Sequence, residues 1–372
     1  MWVNNRLLHI GITHKTAPLE FRERLRCDAP QQRKLLEYFA CRFDGCFVLS
    51  TCERLELYFS SRSAMAASAM AFVAEALHLP VATLSSNACV LSGTRAGGRL
   101  LSVAAGLESR IVGEPHILGQ VRRAYESALQ SRSLDPVLAS LGRSAIRAGK
   151  RVRNETALGR RDESVVKLTV NHVEGCQEAF SDRTVAVLGS GGLAREIVNR
   201  LVIRRVGRIV VVARDLDRAS AVASSANGEA ASLDRLPDVV SQADALIVCT
   251  SATRFLVEAR HLSGIGSGGL DVVDLSVPRN VDPGISEIAG INLCHIDDLV
   301  GGVRGHIDGV DEAHRIVRDE LDRFVRWRRE RGVAPIIERL VRNRAVTLGR
   351  LTRNQKKKLH QRIIQIKQGV AA

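Results

Sequence analysis

The chain has few aromatics. Phe, Trp and Tyr make up 4% of its 372 residues, so stacking of bases on aromatic rings would not be its main way of contacting a nucleic acid. Eight cysteines, at 27, 41, 46, 52, 89, 176, 249 and 294, form no C-x-x-C pair and no cysteine and histidine spacing of the zinc kind, so no metal is expected. Scattered thiols behind a start, Met1 to Arg6, without a long apolar signal region point to reduced cysteines and a cytoplasmic location. No apolar run approaches the ~20 residues that span a bilayer, so no membrane partner is expected. Acidic residues are in deficit, 40 Asp and Glu against 54 Lys and Arg, for a net charge of +14. Such a surplus attracts polyanions, whether nucleic acid or an acidic surface. The length implies two or three domains with ample core, and 45% hydrophobic with 25% charged residues is the balance of a soluble globular protein.

Against these absences stands one chemically dense stretch, Ser50-Thr51-Cys52-Glu53-Arg54-Leu55-Glu56. A cysteine is nucleophilic as the thiolate, and a nearby guanidinium favours that form by Coulomb attraction. If the strand that starts near Cys46 continues, Arg54 faces the same side as Cys52. By residue type alone, a cysteine at a strand end is more often a small buried hydrophobe, and a lone histidine such as His14 more often structural than a base.

Elsewhere the patterning alternates strand and helix. Residues 6–12 and 46–59 read as strand regions, with helical spacing over 18–26 and 30–43, the mark of a small α+β unit. Helical patterns follow over 63–79, 97–110 and, behind Pro115, 113–130. The stretch 143–160 carries Arg143, Arg147, Lys150, Arg151, Arg153 and Arg160, several on one side of a helix, where they either contact phosphates or face water. Thr184–Leu188 is an apolar strand that runs into Gly189, Ser190, Gly191, Gly192, Leu193 and Ala194 and then a helix. Glycines there let backbone amides approach a pyrophosphate at a helix N-terminus, so a dinucleotide is expected. The next strand ends in Ala213 and Arg214 instead of an acidic residue. Arginine suits a 2′-phosphate and so NADPH, with Arg218 one turn on; Asp215 leaves NAD open. Strands at 245–249 and 270–275 are followed by loops, Thr250–Thr253 and Ser276–Pro283, that would border the nicotinamide.

The words Gly11-Ile12-Thr13-His14-Lys15-Thr16-Ala17-Pro18, Ser50-Thr51-Cys52-Glu53-Arg54, Gly106-Leu107-Glu108-Ser109, Gly113-Glu114-Pro115-His116-Ile117-Leu118-Gly119-Gln120 and Ile296-Asp297-Asp298-Leu299 occur in an order that resembles the glutamyl-tRNA reductase family. The resemblance implies a multidomain α/β and α+β chain. A ferredoxin-like catalytic domain would occupy 1–155, an NADPH-binding Rossmann domain 156–300, and a helical C-terminal region 301–372, shorter than the family's V-shaped dimerisation region. It implies that Cys52 attacks the ester carbonyl of glutamyl-tRNA and that NADPH reduces the thioester to glutamate-1-semialdehyde for tetrapyrrole synthesis. Thr51, Arg54, Ser109, Glu114 and Gln120 would line the substrate pocket, with Arg54 as a planar fork for the substrate's carboxylate. A homodimer and an aldehyde-consuming aminomutase are the further partners it implies. A long helix is expected from Asp308 to Arg331, interrupted at Ala334–Ile337, followed by a basic tail with Lys356, Lys357 and Lys358.

Three departures bear on the chemistry. Glu53 stands where the family has Asn, and a carboxylate there raises the thiol's pKa and can draw Arg54 away. Arg99 replaces a histidine and can stabilise charge but cannot act as a base. His116 replaces a glutamine and could supply an imidazole from another side. These changes leave two alternatives open: a reductase of another aminoacyl-tRNA, and a tRNA-binding regulatory protein without turnover.

Overall fold

The computed structural model describes residues 6–61, 66–160, 164–175, 180–262, 265, 269–301, 307–348 and 361. The first five residues, Cys176 and the Lys356 to Lys358 run lie outside them.

The first sheet is built from β1 (Arg6–Thr13), α1 (Leu19–Arg24), α2 (Ala29–Ala40), β2 (Gly45–Ser50), β3 (Arg54–Ser61), α3 (Ala66–Ala76), α4 (Val81–Asn87) and β4 (Cys89–Ser92). Its four strands are antiparallel in the order β2-β3-β1-β4, the ferredoxin-like arrangement. The strand region expected over 46–59 is in fact a hairpin. Thr51 N–H donates to Arg54 C=O at 2.8 Å, leaving Cys52 and Glu53 at the tip. Neither tip residue needs a positive φ, so no glycine, asparagine or proline announced the turn. Arg54 therefore begins the returning strand, and alternation along one strand does not relate it to Cys52.

Next come α5 (Thr94–Ala104), α6 (His116–Gln130), α7 (Pro136–Glu155) and α8 (Val165–Glu174). The helix expected over 97–110 stops at Ala104 because Gly106 takes φ +77° and its carbonyl accepts from Gly113 N–H at 3.0 Å. A Cβ at Gly106 would lie 3.1 Å from the Gly113 backbone, so this close crossing needs glycine. The result is a tight loop that carries Glu108, Ser109 and Arg110 past the hairpin.

The second sheet is parallel, ordered β10-β9-β8-β5-β6-β7. Its elements are β5 (Thr184–Leu188), α9 (Gly192–Ile203), β6 (Arg208–Ala213), α10 (Leu216–Ala223), β7 (Glu229–Ser232), α11 (Leu236–Val240), β8 (Ala245–Val248), β9 (Leu270–Asp274) and β10 (Ile291–His295), followed by α12 (Ile296–Gly301). Apart from Thr184 at its start, β5 is apolar and buried on both faces, as is all of β8, the pattern of helix-covered parallel strands. This is a doubly wound sheet of the Rossmann kind, with its order reversing at β5.

The chain ends its described course with α13 (Val310–Leu348). Its first turns return to the first sheet's core, where Ala313, Ile316, Val317 and Phe324 are buried. The expected interruption at Ala334–Ile337 does not occur, and the helical backbone runs on past Pro335. Loss of a single N–H donor there does not end the helix. No single helix among the described residues is long and apolar enough to cross a membrane.

Candidate active site

A cleft of about 1150 Å³ opens between the two sheets. One wall is the β2–β3 hairpin tip with Thr51, Cys52 and Glu53, joined by Glu114, His116 and Gln120 from the start of α6 and the loop before it. The opposite wall is the glycine turn Gly189 to Leu193, then Arg214, Asp215 and Arg218 at the end of β6, and the loops after β8 and β9. Local chain geometry explains both walls. Loops at the carboxyl ends of parallel strands converge at the switch point, and Leu19 of α1, buried in the second sheet's core, draws the hairpin toward it. The backbone of Cys52 is fixed in turn by Arg22, whose Nη1 donates to its carbonyl at 3.0 Å.

The glycine turn fits a dinucleotide. Gly189 takes φ +140°, and a Cβ there would lie 2.6 Å from the Cys249 carbonyl. At Gly191 and Gly192 a Cβ would meet no atom within 4 Å, so the turn leaves open space at the N-terminus of α9. Ala194, the last residue of the motif, is instead fully buried and packs the helix onto the sheet. Asp215 is engaged as the cap of α10, accepting from Arg218 N–H at 3.1 Å and pairing with its guanidinium at 3.2 Å. Arg214 makes no ion pair among the described residues.

Three expected site residues do not line the cleft itself. Arg54 is 2% exposed and borders only a narrow recess behind it, together with Thr51 and Cys52. Its Nη2 donates to Glu108 C=O at 2.7 Å and to Glu53 at 3.2 Å, and its Nη1 to Glu56 at 3.2 Å. The fork expected to take a substrate carboxylate already holds carboxylates of this chain. Arg99 faces the same cluster, bonded to Glu56 at 3.0 Å and Glu108 at 2.7 Å, so its charge is directed there and not at Cys52. Ser109 is 5% exposed and also absent from the cleft lining. At the centre of this cluster, buried Glu56 is opposed by desolvation yet held well below the usual carboxylate range by His9, Arg54 and Arg99.

The basic helix differs from expectation as well. Arg147 and Arg151 pair with the fully buried Glu320 of α13 at 2.5 and 3.2 Å. Arg153 donates to the Glu114 carbonyl at 3.0 Å, and Arg160 lies beyond the helix end. Three of the six cations thus hold the fold together. A non-local acidic partner on α13 is invisible in the local charge pattern.

The electrostatics of the cleft are unusual. Burial, then Glu53 and Glu114, push the Cys52 thiol up to about 12, against the pull of Arg26 and Arg54. Burial and Glu53 raise Glu114 to about 7. His14 lies 3.6 Å from Glu53, and burial with Arg110, Arg54, Lys15 and Arg22 depresses it to about 3, so it is neutral at neutral pH. A protonated thiol needs a proton acceptor before it can attack, and a carboxyl that titrates near neutrality on the same wall is chemically suited to that exchange. His116 pairs across the cleft with Glu196 of α9 at 3.2 Å.

Sequence reasoning missed Arg26, which lines the cleft from the linker between α1 and α2. It also missed the ties that close the two walls together. Asp297 of α12 accepts from Arg22 and Arg110, each at 2.6 Å, and Arg279 pairs with Glu23 at 2.8 Å and Glu20 at 3.3 Å. Partners more than 180 positions apart leave no local signal.

Comparison with known proteins agrees with this architecture. Residues 10–156 match the family described as glutamyl-tRNAGlu reductase, N-terminal domain, and residues 172–301 that described as shikimate / quinate 5-dehydrogenase. Glutamyl-tRNA reductase of Moorella thermoacetica is 33% identical over 378 residues, covering 93% of this chain and 84% of that protein. That of Thermosynechococcus vestitus is 31% identical over 344 residues, covering 89% and 81%. Among solved structures, glutamyl-tRNA reductase from Methanopyrus kandleri is 26% identical, covers 98% of this chain and 93% of that one, and superposes with a TM-score of 0.48. The dehydrogenase-type match and the glycine turn together indicate a pyridine nucleotide cofactor. With identity above 30% over most of both chains, this protein belongs to the glutamyl-tRNA reductase family.

Proposed function

We propose that this protein reduces glutamyl-tRNA to glutamate-1-semialdehyde, the step that commits glutamate to tetrapyrrole synthesis, with NADPH as reductant. One observation carries the reading: Cys52 and the dinucleotide turn face the same cleft. Cys52 loses its proton to Glu114 and attacks the ester carbonyl. The tetrahedral adduct collapses to a thioester, and the tRNA 3′-oxygen leaves with the proton from Glu114. NADPH, which the turn from Gly189 to Leu193 and Arg214 would hold, would be the source of hydride for the thioester carbon, and Cys52 would leave as thiolate to release the aldehyde. Dividing the reduction into acyl transfer and hydride transfer replaces one hard step with two easier ones. Arg214, without an ion partner among the described residues and beside an Asp215 that is already capping a helix, supports the 2′-phosphate and hence NADPH over NADH. Thr51 and Gln120 line the acyl site with Glu114.

A second reading, a tRNA-binding protein without turnover, is favoured by Glu53, which raises the thiol's pKa and engages Arg54. Single-turnover incubation with glutamyl-tRNA separates the two. Intact protein mass should rise by one glutamyl group in the wild type and not in Cys52→Ser, and NADPH should then be oxidised in step with loss of that adduct. An unmodified wild-type protein would refute the reductase.

A further inference from the structure

Aromatic side chains are few in this chain, and folding hides nearly all of them. Among the described residues Phe255 is the one exposed aromatic, at 42%. It stands on the loop after β8 between Thr253 and Leu256, which both line the cleft, so the ring sits at the cleft's rim.

Scattered apolar residues are common on any surface, but this ring is held out by a buried clip. Asn280 is fully buried, and its N–H donates to Asp274 at 2.8 Å. Its Nδ2 donates to the carbonyls of Ala252 at 3.0 Å and Arg254 at 3.1 Å. Its own carbonyl accepts from Leu256 N–H at 2.7 Å and Val257 N–H at 3.0 Å. The backbone is thus tied immediately before and immediately after Phe255, while the ring stays exposed. A ring on a fixed backbone loses little freedom when a flat partner stacks on it.

Two adenines could meet a ring in this region, that of the dinucleotide and that at the 3′ end of tRNA. The sheet order favours the second. β6 and β8 flank β5 on opposite sides. A dinucleotide laid across β5 with its 2′-phosphate at Arg214, after β6, would carry its nicotinamide toward β8. Phe255 therefore stands at the end where the acyl group would be reduced, away from the cofactor's adenine. The base joined to that acyl group through its ribose is the terminal adenine of tRNA, and an unpaired base is what an aromatic ring recognises in RNA.

We propose that Phe255 is the stacking platform for the unpaired 3′-terminal adenine of tRNA at the rim of the cleft. The inference rests on the tRNA part of the reductase reading, but binding is measured apart from turnover.

The test uses the full chain and two uncharged tRNAs for glutamate, one intact and one lacking the terminal adenosine, with affinities read by fluorescence anisotropy. Wild type should bind the intact RNA about tenfold more tightly, within the range that one stacked base supplies. Phe255→Ala should weaken the intact RNA by a similar factor, leave the shortened RNA and NADPH unchanged, and keep its circular dichroism spectrum. Phe255→Trp should keep the preference. Four results overturn the proposal: a wild type without preference, a Phe255→Ala that keeps it, one that weakens both RNAs equally, or one that weakens NADPH instead. Acylation of Cys52 by glutamyl-tRNA is followed in parallel. Discrimination lost in Phe255→Ala, with no acylation even in the wild type, would remove the reductase and leave the Phe255 assignment in place.

Discussion

Glu53 does more than any other single side chain to set this cleft apart. It engages Arg54 at 3.2 Å, lies 3.6 Å from His14, and raises both Cys52 and Glu114. Removing its charge should therefore ease thiolate formation. Glu53→Asn is expected to alkylate with iodoacetamide several-fold faster at Cys52 at pH 7, with the midpoint of the rate against pH moved down; an unchanged profile would show that burial alone sets the thiol. Glu114 gives a stability prediction. Its carboxyl keeps a proton to about 7 when folded, against 4.5 ordinarily. Between these values the folded state binds more protons than the unfolded chain, so stability falls as pH rises through that window. Glu114→Gln has no proton to lose, so its Tm relative to wild type should climb from pH 5 to pH 8; a constant difference would contradict the burial argument.

Helices and turns carry a different kind of constraint, that of close approach. On α7, a Cβ at Gly149 would lie 2.4 Å from the Ala104 carbonyl and 2.7 Å from Leu118. Alanine is the better helix former by about 1 kcal/mol, but forcing backbone apart in a packed core costs about 1–3 kcal/mol. The clash should win, and Gly149→Ala is expected to lower the unfolding midpoint in urea. At the end of β6, Arg214→Ala should reduce the ratio of kcat/KM for NADPH over NADH about tenfold or more, chiefly through KM for NADPH, since a charge-assisted contact to phosphate is lost. Equal effects on both nucleotides would instead assign Arg214 to the shared pyrophosphate or ribose.

The two sheets work as one site only when held together, and the ties are ionic: Asp297 with Arg22 and Arg110, Arg279 with Glu20 and Glu23. Thioester formation uses the hairpin wall, whereas hydride transfer needs both walls. Asp297→Ala combined with Arg279→Ala is thus expected to leave acylation of Cys52 nearly unchanged and to slow its reduction about tenfold or more. Slowing both steps alike would mean that the ties shape the hairpin itself.

Much of this architecture could be read from local pattern. Apolar alternation and helical spacing are properties of neighbouring residues, so the strands β1, β5 and β6, the helix after Pro115 and the glycine turn before α9 were all expected and all occur. The turn at Cys52 and Glu53 was not, because its backbone needs no special residue. The chain alone also singled out Cys52 as the thiol to watch, and warned that Glu53 could occupy Arg54. Only tertiary structure decided where the guanidiniums point. Arg54 meets Glu108 across 54 positions and Arg22 meets Asp297 across 275. Ion pairs are set by which surfaces folding brings within a few ångströms, and no periodicity encodes that distance.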